Sequence, residues 1–409
     1  MAIVAYVIAG LLMMTVMVAL CELAVGMPKA GSLHVWARRV LGPAYGAVAG
    51  LAYTAMNVIF LGSVSLANGA ISNYFFQWTP DANVSALIWS LILVTVVAAI
   101  ALSGVALTGR VQLALVAALV SLMVIFGIAG VSNPNFQPSH FHPFAPFGVS
   151  GLWVAMAMGV YAYIGPLVLL VTGEEARKIT DLPKAMIAAF LTFLGVYTFA
   201  MIALIGLVPY EEMSLMESPF TCAAELMFGR VGGLIVNAAA WIAAFTCLIG
   251  EIYGSSRLLY GMAEEGILPP VFSKVSKRTR VPHISIIVAW IIGVFLILTG
   301  SIRAFEAAYV ELCMVGSEMG VVAWIICLLA AARYKSKFPK EWEKLPWKIP
   351  GRRVLIPVAF IAAIITMYAL VSGDPPSIIY TAIACIILLL LYYGYSRKHL
   401  KIPEGETYG

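Results

Sequence analysis

Val149-Ser-Gly-Leu-Trp-Val-Ala-Met-Ala-Met-Gly-Val-Tyr-Ala-Tyr-Ile-Gly-Pro-Leu-Val-Leu-Leu-Val-Thr172 runs for 24 residues without a charge. That exceeds the roughly 20 residues needed to cross the hydrocarbon core of a bilayer. The run lacks the period-2 alternation of a barrel strand, so it reads as a membrane helix. In its second half stands Gly165-Pro166. Proline removes a backbone donor and clashes one turn back, so the helix is either kinked or broken there. Free backbone groups at that depth are tolerated only where they line a cavity or a bound solute.

The rest of the chain repeats the pattern. Eleven apolar runs lie near 3–25, 45–73, 84–104, 111–131, 149–172, 184–208, 231–258, 283–299, 304–332, 354–372 and 377–396. Gly42-Pro43, Pro134 to Pro146, Pro209, Pro269-Pro270, Pro282 and Pro375-Pro376 punctuate the gaps. Hydrophobic residues make up 62% of the 409 and charged residues 11%, against about 25% charged in a soluble domain. With a mean hydropathy of +0.96, this excludes a soluble enzyme, a disordered chain and a nucleic-acid binder. The expected class is an all-α integral membrane protein with no soluble domain. The six cysteines follow no metal spacing, and no disulfide is expected.

The placement of positive charge orients the spans. If the loop after the first run is cytoplasmic and the loops alternate, 23 of the 25 Lys and Arg residues fall inside, and only Arg230 and Arg303 fall outside. That is a strong positive-inside bias. It predicts cytoplasmic loops at 26–43, 173–183, 259–282 and 333–353, external loops at 132–148 and 209–230, a cytoplasmic C-terminus and an external first residue, in a multi-pass protein of the cell membrane. The chain opens within an apolar run, with no charge before Glu22 and no signal-peptide pattern. The expectation is one further apolar helix before Met1.

Three stretches together resemble the amino acid–polyamine–organocation superfamily of permeases. Glu22-Leu-Ala-Val-Gly-Met-Pro-Lys-Ala-Gly-Ser32, running on to Ala37-Arg-Arg-Val-Leu-Gly-Pro43, looks like the family's second helix and following loop. Gly173-Glu-Glu-Ala-Arg-Lys178 with Leu182-Pro-Lys-Ala-Met186 is similar to the loop after its sixth helix. Gly254-Ser-Ser-Arg-Leu-Leu-Tyr-Gly-Met-Ala-Glu-Glu-Gly-Ile-Leu-Pro-Pro270 resembles the end of its eighth helix. The resemblance spans the whole chain and implies a LeuT-type inverted-repeat transporter fold. The eleven runs match family helices 2–12, the missing first helix being the one expected before Met1. Residues 1–131 would be an incomplete first repeat, 149–332 the second repeat and 354–396 two added helices, all within one transport domain, 1–409.

In such permeases the first and sixth helices are broken at mid-membrane, and a half-helix N-terminus offers N–H groups to a carboxylate. The resemblance therefore places substrate beside Tyr161, Ile164, Gly165 and Pro166, with Tyr161 at the position of an aromatic lid. The proline right after the glycine departs from the family pattern. Glu251 matches a position in the eighth helix that faces substrate. From its spacing it lies roughly 9 Å deeper than Arg257. Its roles would be to hold an ammonium or to exchange a proton. Asn57 is a buried amide able to reach the site or to bond a neighbouring helix.

Glu311 and Glu318 share one helix face, with Glu318 roughly 22 Å from both Arg303 and Arg333. A carboxylate there must be paired, protonated or wet. Glu251, Glu311 and Glu318 are thus the proton-coupling candidates, each with the alternative of a neutral acid joining two helices. Run 111–131 has no Lys, Arg, Asp or Glu, so the lysine that replaces sodium in some relatives has no counterpart. Ser255 and Ser256 can contribute to a cation site. Proton symport, sodium symport and exchange all fit. His140 and His142 lack a third ligand and make no metal site, and no cofactor is expected.

Two classes of function fit. One is a secondary active permease or exchanger for amino acids or polyamines, working by alternating access in the lipid bilayer. The other is a membrane binding or regulatory protein that kept the scaffold without transport. No nucleophile–base pair points to an enzyme, and the sequence does not set the oligomeric state.

Overall fold

The computed structural model describes residues 1–28, 32–104, 109–171, 176, 178–213, 218–302 and 305–401. Lys29, Glu174, Arg177, Glu217 and Arg303 lie outside them. Among the described residues the chain is helical, without a strand. The apolar runs become α1 (Ala2–Gly26), α3 (Pro43–Asn73), α4 (Ala82–Ser103), α5 (Gly109–Val131), α6 (Gly148–Ala162), α8 (Asp181–Leu207), α10 (Pro219–Glu264), α11 (His283–Ile302), α12 (Phe305–Lys337), α14 (Arg352–Gly373) and α15 (Ser377–Leu391). Short helices fill the connections: α2 (Ser32–Leu41), α7 (Val168–Val171), α9 (Tyr210–Met213), α13 (Pro339–Glu343) and α16 (Arg397–His399). Among the described residues ten helices are long and apolar enough to cross a membrane. The eleventh run is α11, apolar over His283–Thr299 and shorter than that standard.

Two connections differ from the sequence reading. The stretch 209–230, expected as a loop, is helical from Pro219. Proline's missing N–H is no loss at the first position of a helix. The 46-residue α10 bends at Gly229, whose φ of 67° is left-handed backbone open to glycine. The loop 26–43 contains α2, which carries Arg38 and Arg39 in its last turn. At the start of α4, the Asp81 carboxylate accepts from the N–H groups of Asn83 and Val84, at 2.9 and 3.2 Å.

Burial separates the centre from the lipid face. In α3 and α12, 78% of the apolar window is buried, against 17% in α5 and α15. A close approach of α3 and α12 builds that centre. A Cβ at Gly316 would stand 2.5 Å from the Phe60 ring, and one at Gly320 would stand 2.7 Å from Met56 Sδ. This small-xxx-small spacing lets two helices meet where no hydrophobic force separates protein from lipid. On one side of the pair, α1, α6 and α14 complete a core around Met17, Leu20, Val160 and Trp324. On the other, α4, α10 and α11 pack around Leu61, Leu248 and Ile252.

The basic connections meet at one end of the bundle. Arg38 pairs with Glu265, Arg39 with Glu341 at 2.8 Å, and Lys337 Nζ donates to the Val40 carbonyl at 2.7 Å. Arg352 Nε pairs there with Glu22 Oε1 at 3.0 Å. The connection after α5 joins the other tip of α8, where Gln137 N donates to the Gly206 carbonyl at 2.8 Å.

Candidate functional site

The interruption expected in 149–172 is a break rather than a kink. The helical backbone of α6 stops at Ala162. Tyr163 caps it, a 3-10 turn follows over Gly165–Leu167, and α7 resumes at Val168. Pro166 cannot donate into an α-helix, and the turn is closed by Leu167 N donating to the Ile164 carbonyl at 3.0 Å. Ile164 and Pro166 are buried, whereas Gly165 is exposed and a Cβ there would meet no atom within 4 Å. The backbone at the break therefore borders open space.

Two tyrosines flank the break and point to opposite sides, because two residues turn a helix by about 200°. The Tyr161 ring meets the edge of Phe60 at 5.3 Å between centroids. Its hydroxyl stands 3.5 Å from Ser63 Oγ. The Cys313 thiol of α12 lies within hydrogen-bonding reach of Tyr161, Tyr309 and Ser63. Tyr163 turns the other way, into an aromatic cluster with Tyr197 at 5.4 Å, Phe190 at 6.4 Å and Tyr6 at 6.4 Å. Its buried hydroxyl has no partner among the described residues.

Glu251 belongs to a second polar group, on the seam of α3 and α10. It is half-buried, and its Oε2 is a buried oxygen without a hydrogen-bond partner. Ser255, one turn on and on the same face, is buried with an equally unpartnered hydroxyl. Across the seam stand Tyr53, close enough to feel the Glu251 charge, and Asn57, whose Oδ1 would be 3.4 Å from a Cβ at Gly254. Asn57 Nδ2 donates to the Tyr53 carbonyl of its own helix at 2.7 Å, rather than to a neighbouring helix. By contrast Asn237 does bridge helices, donating to the Ile71 carbonyl at 3.0 Å.

The two groups lie along one stripe of α3, since Tyr53, Asn57 and Phe60 follow at helical spacing. They do not touch. Tyr53 and Ser63 are separated by roughly 15 Å of helix rise, and among the described residues no hydrogen bond joins Glu251 to the break. The stripe is therefore the element that relates them. The other two candidate glutamates are elsewhere. Tyr309, Cys313, Gly316 and Gly320 occupy the α12 face toward α3, and Glu318 lies on the opposite face, bonded to Ser377. Glu311 shares Glu318's face by spacing and is itself engaged in an interaction. An apolar hollow of about 280 Å³ between α5 and α10, lined by Leu122, Phe126 and Ile235, is separate from all of these residues.

Tyr53, Phe60, Ser63, Tyr309 and Cys313 escaped the sequence reading, which searched spans for charge and for breaks. Their signal was the recurrence of hydroxyl, thiol and aromatic groups at i, i+4 and i+7 on spans already carrying a buried amide or carboxylate.

The amino acid permease family profile matches residues 1–400. The branched-chain amino acid permease of Lactococcus lactis subsp. cremoris is 26% identical over 418 residues, covering 97% of this chain and 87% of its own. A putative histidine permease of Bacillus subtilis is 27% identical, over 99% of this chain and 88% of its own. The lysine-specific permease of Lactococcus lactis subsp. cremoris is 26% identical, over 99% and 85%. A profile match over nearly the whole length, on an all-helical bundle of membrane-length helices, identifies the group: this chain belongs to the amino acid permease family, transporters of the amino acid–polyamine–organocation superfamily with the LeuT-type fold.

Proposed function

We propose that the protein is a secondary active transporter of amino acids that works by alternating access, with its substrate site at the break of α6. The observation that carries this reading is the open backbone at Gly165, just after Tyr161 and Tyr163, in a span that must otherwise satisfy every polar backbone group internally. Ile164, Gly165 and Pro166 shape the backbone against which the substrate carboxylate and α-carbon rest. Tyr161, backed by Phe60 and linked to Ser63, closes over it. Asn57 and Glu251 lie further along the α3 stripe, toward the substrate's ammonium or side chain. Glu251 is the coupling residue in this reading, because a carboxylate with a partnerless buried oxygen beside Ser255 is placed to take up a proton or a cation. The clustering of the basic connections supports a cytoplasmic position for that end of the bundle.

Uptake of radiolabelled amino acids into proteoliposomes tests the reading, with branched-chain, histidine and lysine substrates compared. Tyr161→Ala should raise the KM for the transported amino acid at least tenfold while the protein still inserts. Glu251→Gln should abolish the dependence of uptake on the coupling gradient, a pH gradient or a sodium gradient being imposed in turn. Wild-type kinetics in both variants would remove the site from this region.

A further inference from the structure

Glu318 presents a polar problem that a single proton solves. It has no exposed surface and faces away from the Tyr161 cluster, being half a turn round α12 from Tyr309. On that side the first turns of α15 reach it. Ser377 Oγ donates to Glu318 Oε1, and Thr381, one turn on, lies within side-chain hydrogen-bonding reach. Ser377 and Thr381 are buried as well. Neither Glu318 Oε2 nor Thr381 Oγ1 makes a hydrogen bond in the structure. The titratable groups nearby are Asp374, ahead of α15, and the Cys385 thiol within it. Among the described residues no Lys, Arg or His pairs with Glu318. An anion here would face another acid, with two hydroxyls and no cation to balance it, in a place water does not reach.

A proton on Oε2 removes the buried charge and with it the repulsion from Asp374, and the new O–H can donate to Thr381 Oγ1. We propose that Glu318 is a proton-binding site, a neutral carboxylic acid that ties the start of α15 to α12 on the side away from the α6 break. The site is separate from the coupling role given to Glu251 and stands whether or not that role holds.

Infrared spectroscopy of the purified full-length protein tests this, by subtracting the Glu318→Gln spectrum from wild type at neutral pH. The expected difference is the carbonyl stretch of a protonated carboxylic acid, which shifts in Thr381→Val as its hydrogen bond is lost. Glu318→Gln should unfold at the wild-type temperature at neutral pH, since the amide N–H can replace the acid O–H. A symmetric and antisymmetric carboxylate pair in the difference spectrum would overturn the proposal. So would a Glu318→Gln chain unable to fold, a band unmoved by Thr381→Val, or a sodium-dependent rise in unfolding temperature that Glu318→Gln abolishes, which would make this a metal-cation site.

Discussion

Glu22 and Glu251 are both carboxylates on membrane-length helices, and their surroundings are opposite. Glu22, at the basic end of α1, is fully buried and fully engaged. Its Oε1 accepts from Trp342 Nε1 and Arg352 Nε, both at 3.0 Å, and its Oε2 accepts from the Ile349 N–H at 3.1 Å. Arg352 in turn donates to the carbonyls of Ala331 and Ala332. Glu251 keeps a buried oxygen without a partner beside a serine in the same condition. A carboxylate with both oxygens bonded to neighbouring helices and loops holds the fold together. One with an unoccupied oxygen in a packed interior weakens the fold unless something else binds there. The family resemblance marked both residues, and only their partners separate the carboxylate that ties helices together from the one that keeps an unpartnered oxygen.

The contrast breaks most visibly at Arg352. Arg352→Ala should strand the Glu22 charge and cost about 3–5 kcal/mol, the usual penalty for removing one member of a buried pair. Thermal unfolding of the purified protein would show it as a large drop in midpoint. Glu251→Gln, at a carboxylate whose buried Oε2 has no partner in the fold, should change stability by less than about 1 kcal/mol. Equal losses in the two variants would erase the distinction between clasp and site.

A smaller effect is expected between them on the α3 stripe. Gly316→Val would force atoms into the Phe60 ring and should cost about 1–3 kcal/mol by overpacking. Because Phe60 backs Tyr161, the same change should raise the KM for substrate, which a purely structural loss at the basic end would not do. Substrate titrations at fixed amounts of folded protein separate the two.

The smallest effect is expected at Glu265, the other carboxylate of the basic end. Burial by itself would raise its titration, but the hydrogen bond from His34, and then the charges of His34 and Arg38, more than reverse that and hold it below the ordinary carboxylate range. The folded state thus takes up this proton at lower pH than the unfolded chain. Its contribution is complete above the unfolded value and is lost as the pH falls through the folded one. Unfolding midpoints from neutral to acid pH should fall less steeply in Glu265→Gln than in wild type. Parallel curves would show that the His34–Arg38–Glu265 contact adds nothing to the fold.

Hydropathy by itself determined that this chain is a bundle of membrane helices, because 20 consecutive apolar residues leave the backbone no other way to satisfy its polar groups in lipid. Gly165-Pro166 likewise announced an interruption in α6, since a proline's lack of an N–H is a local property. The start of α10 was not legible in the same way, because Glu211, Glu212 and Glu217 made 209–230 read as a solvated loop, while helix formation from Pro219 depends on packing of Ala223 and Ala224 against α8. Glutamates looked alike in the sequence. Tertiary packing alone decided that Glu22 meets Arg352 across 330 residues, that Glu318 turns toward α15, and that Glu251 stays unpartnered beside α3. Whether a buried carboxylate is paired depends on which faces of distant helices meet, α1 with α14 for Glu22, α12 with α15 for Glu318 and α10 with α3 for Glu251, and nothing near each glutamate in the chain decides that.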